Sequence, residues 1–263
     1  MIVTTTHAPG TFCWPELSTS NQAAAETFYT RLFGWTMAVT PMGPDAHYTI
    51  FLKDGSPAAA GTTLMPDVAA QGVPPHWLSY VSTEDVDASV AKAQRIGGTL
   101  LAGPFDVMDH GRMAVLADPT GTAFALWQAK QHPGVGVLDE DHALVWTELV
   151  TDDTAKAAAF YGDLFGWTRE SWASPGMDYS ILKRGEAMAA GMMAKTPDMG
   201  PVPNHWMPYF GTADCAATVK QATSFGGACI AGPMEVPGVG TMAVLADPQG
   251  AHFSVMQFAP PSA

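Results

Sequence analysis

Apolar residues along this chain recur with two rhythms, and the two alternate in a fixed order. "TFCWPELST" (11–19) alternates in a way that suits a β-strand, whose successive side chains point to opposite faces. From Asn21 to Phe33 the spacing changes, and Phe28, Leu32 and Phe33 form one helical stripe. Ser20 or Asn21 can cap that helix and Gly34 ends it. "HYTIFLKDG" (47–55) and "AAAGTTLMP" (58–66) are short and bounded by Gly and Pro, as hairpin strands are. A second helix is predicted from Glu84 to Ile96, closed by Gly97 and Gly98. In "ADPTG" the Asp, Pro and Gly positions fit a type I turn, which joins the strands "RMAVLA" and "TAFALWQ".

The whole order then repeats. "FCWPEL" is answered by "LVWTEL", and "FYTRLFGWT" by "FYGDLFGWT", at a constant offset of 132, since 146 − 14 and 167 − 35 agree. "HYTIFLKDG" is answered by "DYSILKRG", "PPHWLSYV" by "PNHWMPYF" and "GGTLLAGP" by "GGACIAGP". "MAVLADPTGTAFALWQ" returns as "MAVLADPQGAHFSVMQ" at an offset of 242 − 113 = 129, a few loop residues having been lost. In the second copy the first helix starts at Asp152 or Asp153, carries Phe160 and Leu164 on its stripe and stops at Gly166. Each copy is therefore βαβββ taken twice, and the chain holds four such modules. The expected fold class is α+β, with the modules paired into two cup-shaped mixed β-sheets and helices flanking them. The expected domains are residues 1–130 and 142–263, joined by the Gly-, Pro- and charge-rich linker 131–141.

The repeated motifs "ETFYTRLFGW" with "AAFYGDLFGW", and "LADPTGTAFALWQ" with "LADPQGAHFSVMQ", carry a resemblance that extends over nearly the whole chain. Through them the chain resembles the vicinal oxygen chelate superfamily, which includes glyoxalase I, bleomycin and fosfomycin resistance proteins and extradiol dioxygenases. The resemblance specifies the fold more than the chemistry, because that scaffold carries several unrelated reactions.

The resemblance implies metal ligands on the first strand, on the strand opening the second half of each copy, and on the last strand. Carried onto this chain, the first position is Trp14 and Trp146, and the second is His76 and His205. The third lies four residues after the turn glycine, 121 + 4 = 125 and 250 + 4 = 254, where Ala125 and Ser254 stand. Tryptophan nitrogen is only a donor, and one histidine per copy does not make a divalent-metal site. No catalytic metal is expected in either copy, and no other cofactor.

Strand alternation shows what lines the cups instead. If Trp14 faces inward, so do Glu16 and Ser18; if Trp146 does, so do Glu148 and Val150. His76 brings Leu78 and Tyr80, and His205 brings Met207 and Tyr209. Ala125 brings Ala123 and Trp127, while Ser254 brings His252 and Met256, so the closing strands differ between copies. Glu16 and Glu148 are the candidate catalytic groups: a carboxylate among apolar neighbours is costly unless paired or protonated, and suits proton transfer or anchoring of a polar ligand group. A structural Glu bonded to His, Tyr or backbone N–H fits the same pattern. The candidate ligand-binding residues are Trp14, His76, Tyr80, Trp127, Trp146, His205, Tyr209, His252 and Ser254. A strand-start histidine bonded to loop backbone is the competing reading of His76 and His205. His252 and Ser254 stand too far apart along one strand for a nucleophile–base pair. Asp118 and Asp247 are expected as turn formers.

Composition narrows the partners. Twelve Lys and Arg against 25 Asp and Glu give a net charge of −13, unsuited to binding nucleic acid. No apolar run approaches the ~18–20 residues of a membrane span, and "MIVTTTHAPGTFCWPEL" lacks the features of a signal peptide, so a cytoplasmic location is expected. Cys13, Cys215 and Cys229 have no CxxC spacing and are expected to be reduced. A small-molecule ligand is the expected partner, with the chain a monomer or homodimer. Whether it is an enzyme stays open at this point. The leading expectation is a glyoxalase- or bleomycin-resistance-like protein that encloses a small, partly apolar organic molecule without a metal. The alternatives are a metal-independent lyase or isomerase of glyoxalase type using a cup Glu for proton transfer and, behind that, an oxygenase or hydroxylase.

Overall fold

The computed structural model describes residues 6–44, 46–174 and 177–260. In the first copy the elements run β1 (Phe12–Thr19), α1 (Gln22–Phe33), β2 (Thr36–Gly43), β3 (Ala46–Lys53), β4 (Ser56–Thr63), α2 (Pro66–Ala70), β5 (His76–Ser82), α3 (Val86–Arg95), β6 (Thr99–Val107), β7 (Gly111–Ala117) and β8 (Ala123–Ala129). The second copy continues with β9 (Leu144–Thr151), α4 (Thr154–Phe165), β10 (Thr168–Ser174), β11 (Met177–Arg184), β12 (Ala187–Ala194), β13 (His205–Gly211), α5 (Cys215–Ser224), β14 (Ala228–Val236), β15 (Gly240–Ala246) and β16 (His252–Phe258). The predicted βαβββ order is present four times. The short α2 is an addition to it, its Pro66 standing where a helix's first N–H needs no partner. Asn21 and Asp153 cap α1 and α4 through their side chains, and Gly34 and Gly166 end them at φ of 66° and 73°, which glycine adopts without strain.

Each copy forms its own open eight-stranded sheet, in the orders β2-β3-β4-β1-β5-β8-β7-β6 and β10-β11-β12-β9-β13-β16-β15-β14. β1 and β5 run antiparallel at the centre, each flanked by a parallel strand, and β9 and β13 do the same. This settles which modules share a cup: those of one copy do, so Glu16 looks onto β5 and not onto β13.

The helix faces follow the opposite rule. Phe28, Tyr29 and Phe33 of α1 pack with Phe210, Leu245 and Phe253 of the second copy in one core. Phe160, Tyr161 and Leu164 of α4 pack with Leu116, Phe124 and Leu126 of the first copy in another. Burying these rings, at roughly 1.5–3 kcal/mol per large side chain, ties the copies together. The turn aspartates contribute to the same seams. Asp247 accepts backbone N–H bonds from Gln249 and Ala251, as a turn former should, and also the Tyr29 hydroxyl at 3.1 Å across the copies. Asp118 serves its own turn at Thr120 and Thr122 and interacts with Tyr161 of the other copy.

The segment between the copies is packed rather than draped over the surface. Val135 N–H donates to Cys13 O at 2.8 Å and Gly136 N–H to Pro57 O at 2.7 Å, filling the gap where β1 and β4 diverge. Gly134 passes so close that a Cβ there would sit 2.3 Å from Cys13 O. His132 stands edge-on to Trp14 with ring centroids 4.5 Å apart, and its carbonyl accepts the Trp127 indole N–H at 2.8 Å. All three cysteines are free.

Candidate functional site

The register brings Glu16 to the middle of the first cup. It lies opposite Leu78 on β5 and Ala60 on β4, while Trp14 lies opposite Tyr80, which in turn pairs with Ala125 on β8. Two phenols hold the carboxylate: Tyr48 donates to Oε2 at 2.6 Å and Tyr80 to Oε1 at 3.0 Å. The Trp14 indole N–H donates to the Tyr48 oxygen at 3.1 Å, so the chain Trp14, Tyr48, Glu16, Tyr80 is fully oriented. Apolar side chains complete the cluster, among them Leu78, Ala125, Trp127, Ile50 and Met113.

The second cup repeats the unit. Tyr209 donates to Glu148 Oε1 at 2.8 Å, Tyr179 also hydrogen-bonds that carboxylate, and Trp146 donates to the Tyr179 oxygen at 3.1 Å. Its apolar partners are richer in methionine, with Met207, Met242 and Met256 beside Tyr209.

Burial dominates the electrostatics of both units. It pushes the Glu16 and Glu148 acids up, while their phenolic donors pull in the other direction. Tyr48, Tyr80, Tyr179 and Tyr209 are pushed up by burial and by the neighbouring carboxylate, so they stay protonated donors. Each carboxyl keeps lone pairs beyond those its phenols use. As an anion it accepts a ligand O–H or N–H; as an acid it donates to a carbonyl.

Trp14, Trp127, Trp146, Tyr80 and Tyr209 gather around the carboxylates as the alternation predicts. His76 and His205 do not. Each sits at its strand start with Nδ1 bonded to a proline carbonyl two residues back, Pro74 O and Pro203 O, both at 2.8 Å. Their cross-strand partners are Ser18 and Val150, one cup-facing position beyond Glu16 and Glu148. The residues opposite the carboxylates are Leu78 and Met207, so the Pro-rich loops claim the histidines for backbone capping. His252 and Ser254 share the cup face of β16, and Ser254 is fully buried against Tyr209. Tyr48 and Tyr179 are absent from the expected set. The signal for them is present in the sequence, since "HYTIFLKDG" and "DYSILKRG" place a tyrosine at the same point of both copies.

A family model described as glyoxalase/bleomycin resistance protein/dioxygenase superfamily matches residues 11–126, and a glyoxalase-like domain model matches residues 146–256. The chain is 44% identical over 253 residues to "Putative glyoxylase CFP32" of Mycobacterium tuberculosis, covering 95% of this chain and 96% of that protein. The chain belongs to the glyoxalase/bleomycin resistance protein/dioxygenase superfamily. Within it, "Anthracycline biosynthesis protein DnrV" of Streptomyces peucetius is 35% identical over 263 residues, covering 96% of this chain and 95% of that one. The Mn(II)-bound glyoxalase of Novosphingobium aromaticivorans shares the fold at a TM-score of 0.65 with 13% identity, over 95% of this chain and 82% of that one. The 2,3-dioxygenase LapB of Pseudomonas sp. KL28 does so at 0.65 and 12%, over 95% and 94%.

Metal ligands implied by the superfamily resemblance fall on side chains that do not suit them here. The Trp14 and Trp146 nitrogens are donors already bonded to tyrosine oxygens and Ala125 offers no donor atom, which leaves His76 alone in the first copy and His205 with Ser254 in the second, too few ligands for a divalent-metal site. Among the described residues no three His, Cys, Asp or Glu side chains converge as a metal site requires. Also among them, no helix is long and apolar enough to cross a membrane.

Proposed function

We propose that this superfamily member encloses a small, partly apolar organic molecule, planar or carbonyl-bearing, in a β-sheet cup without using a metal. The observation that carries this reading is the tyrosine-held carboxylate on the floor of a cup walled by indole and apolar side chains. A buried acid with oriented donors beside it fixes one polar group, and the indole walls suit a flat ligand body. The named relatives support the ligand class: one is called a putative glyoxylase and the other an anthracycline biosynthesis protein, so both names point to small carbon compounds. The test is the double variant Glu16→Gln, Glu148→Gln against a panel of flat hydroxyketones. Affinity at least ten-fold weaker than wild type supports anchoring by the carboxyl; unchanged affinity contradicts it.

A second reading has its own support. Burial pushes both glutamates up from the ordinary carboxyl value, which makes each carboxylate a stronger base toward a carbon acid alpha to a carbonyl. In that case the protein is a lyase or isomerase in which the cup Glu moves the proton and the tyrosines stabilise the oxyanion. Conversion of a dicarbonyl substrate by wild type, lost in the same double variant while the substrate still binds, selects this reading.

A further inference from the structure

The two cups repeat one hydrogen-bonded unit but differ in what surrounds it. At the first cup's mouth stand Ser18, Thr40 and Ala123, small side chains that are exposed or half-buried. The equivalent places in the second cup hold Val150, Trp172 and His252. The consequence is visible at the floor: Glu16 keeps partial exposure, whereas Glu148 is only 6% exposed, and Ile50 is half-buried where Ile181 is 7% exposed. At the far end the relation reverses. His132, Val135 and Leu138 close the first cup behind Trp14, which is 4% exposed, while Trp146 is half-buried. Glu16 is thus the more exposed of the two carboxyls, and Trp14, Trp127 and His132 pack behind it.

Charge narrows what fits. Lys53 and Arg112 are the cations of the strands that build this cup, β1, β3, β4, β5, β7 and β8. Lys53 is engaged by Asp54 and Glu140, and Arg112 by Asp87 on α3, on the helix side of the sheet. No Lys or Arg stands at a cup-facing position of those strands, and Glu16 in its ionised form repels an anion.

We infer that the first cup is the ligand site, that it takes a flat, neutral or cationic, hydroxyl- or amino-bearing molecule and rejects anionic ones, and that the second cup, its carboxyl covered, is structural. This rests on the proposed function and assigns it to one half of the chain. The probes are 1,4-dihydroxyanthraquinone, which is flat and neutral, and anthraquinone-2-sulfonate, which is flat and anionic, each followed by quenching of tryptophan fluorescence. Val115 on β7 and Val244 on β15 are equivalent, half-buried wall positions opposite Ala125 and Ser254. Val115→Phe, and separately Thr40→Trp at an exposed position, weaken binding of the neutral probe at least ten-fold, while Val244→Phe leaves it within two-fold. At a pH where Glu16 is ionised, Glu16→Gln lets the sulfonate bind at least ten-fold more tightly than it binds wild type. Binding that survives both Val115→Phe and Thr40→Trp, or is lost in Val244→Phe, overturns the assignment to the first cup and leaves the proposed function standing. Equal affinity of wild type for both probes overturns the charge selection. Failure of wild type to bind either probe overturns the proposed function itself.

Discussion

The first and second cups began as one sequence, and their differences show which parts of a duplicated site resist change. The Trp–Tyr–Glu–Tyr unit is intact in both, because each member's polar atom is buried and has its partner inside the unit. Losing one member would leave another unsatisfied in a low-dielectric setting, which costs ~1–3 kcal/mol or more. The mouth residues have no such bond. There Ser18 has become Val150, Thr40 Trp172 and Ala123 His252, or the reverse, without disturbing the sheet. A shared hydrogen-bonded unit is therefore weak evidence of shared function, and the divergent rim is where function separates.

The largest effect that would break the comparison concerns the far ends. Trp14 is pinned beneath His132 and the inter-copy segment, while Trp146 is not. Trp14→Ala should cost ~3–5 kcal/mol, the range for truncating a buried aromatic, and Trp146→Ala clearly less, as read by urea unfolding. Equal losses would mean that the packed segment adds nothing to the first cup.

The next effect is a pH dependence. Burial holds the Glu148 acid above its ordinary value in the folded state, so the fold favours the neutral form. Stability from this group is full below the unfolded value and is lost as pH rises through the folded one. Glu148→Gln should therefore gain on wild type between pH 4 and pH 7.5, with a slope no steeper than ~1.4 kcal/mol per pH unit for one proton. The same direction holds for Glu16, with a smaller gain because water reaches it. A larger gain at Glu16 would invert the burial order of the cups.

His132 responds in the opposite sense. Its pKa is lowered to about 4, chiefly by burial and then by the neighbouring His110 and His7, so the neutral ring is the folded form. Its contribution is full above the unfolded value near 6.5 and is lost as pH falls toward 4. The packed segment should loosen over Trp14 in that window, seen as a change in tryptophan emission that His132→Phe abolishes. The smallest effect belongs to the Lys183–Glu170 pair, an ion pair on β10 and β11 of the second cup with Glu170 largely exposed. Lys183→Met should leave the urea unfolding midpoint unchanged within error.

The fold was legible because it is written in periodicity and repetition. Gly34 and Gly166, the Asp-Pro-x-Gly turns and the change from period 2 to 3.6 each have one physical meaning, and the duplication states all of them twice. The carboxylates were legible too, since Glu16 and Glu148 interrupt apolar strands beside tryptophans. What alternation does not carry is the partner on another strand. Tyr48 and Tyr179 reach the carboxylates through register, which depends on the strand order β3-β4-β1, and the sequence alone leaves open which modules share a sheet. The histidines were legible in part: "PPHW" and "PNHW" suggest rings bonded to loop backbone, as Pro74 O and Pro203 O show, but alternation alone does not say which of the two readings holds. Asp118 and Asp247 were legible as turns, while their bonds to Tyr161 and Tyr29 depend on how the copies pack.

A crystal of the protein grown with 1,4-dihydroxyanthraquinone tests the central claim most directly. The account predicts density for one flat molecule in the first cup, against Trp14 and Trp127, with an oxygen in hydrogen-bond reach of the Glu16 carboxyl and no metal between them. Density in the second cup beside Glu148, or an ion coordinated by His76 or His205, would contradict it.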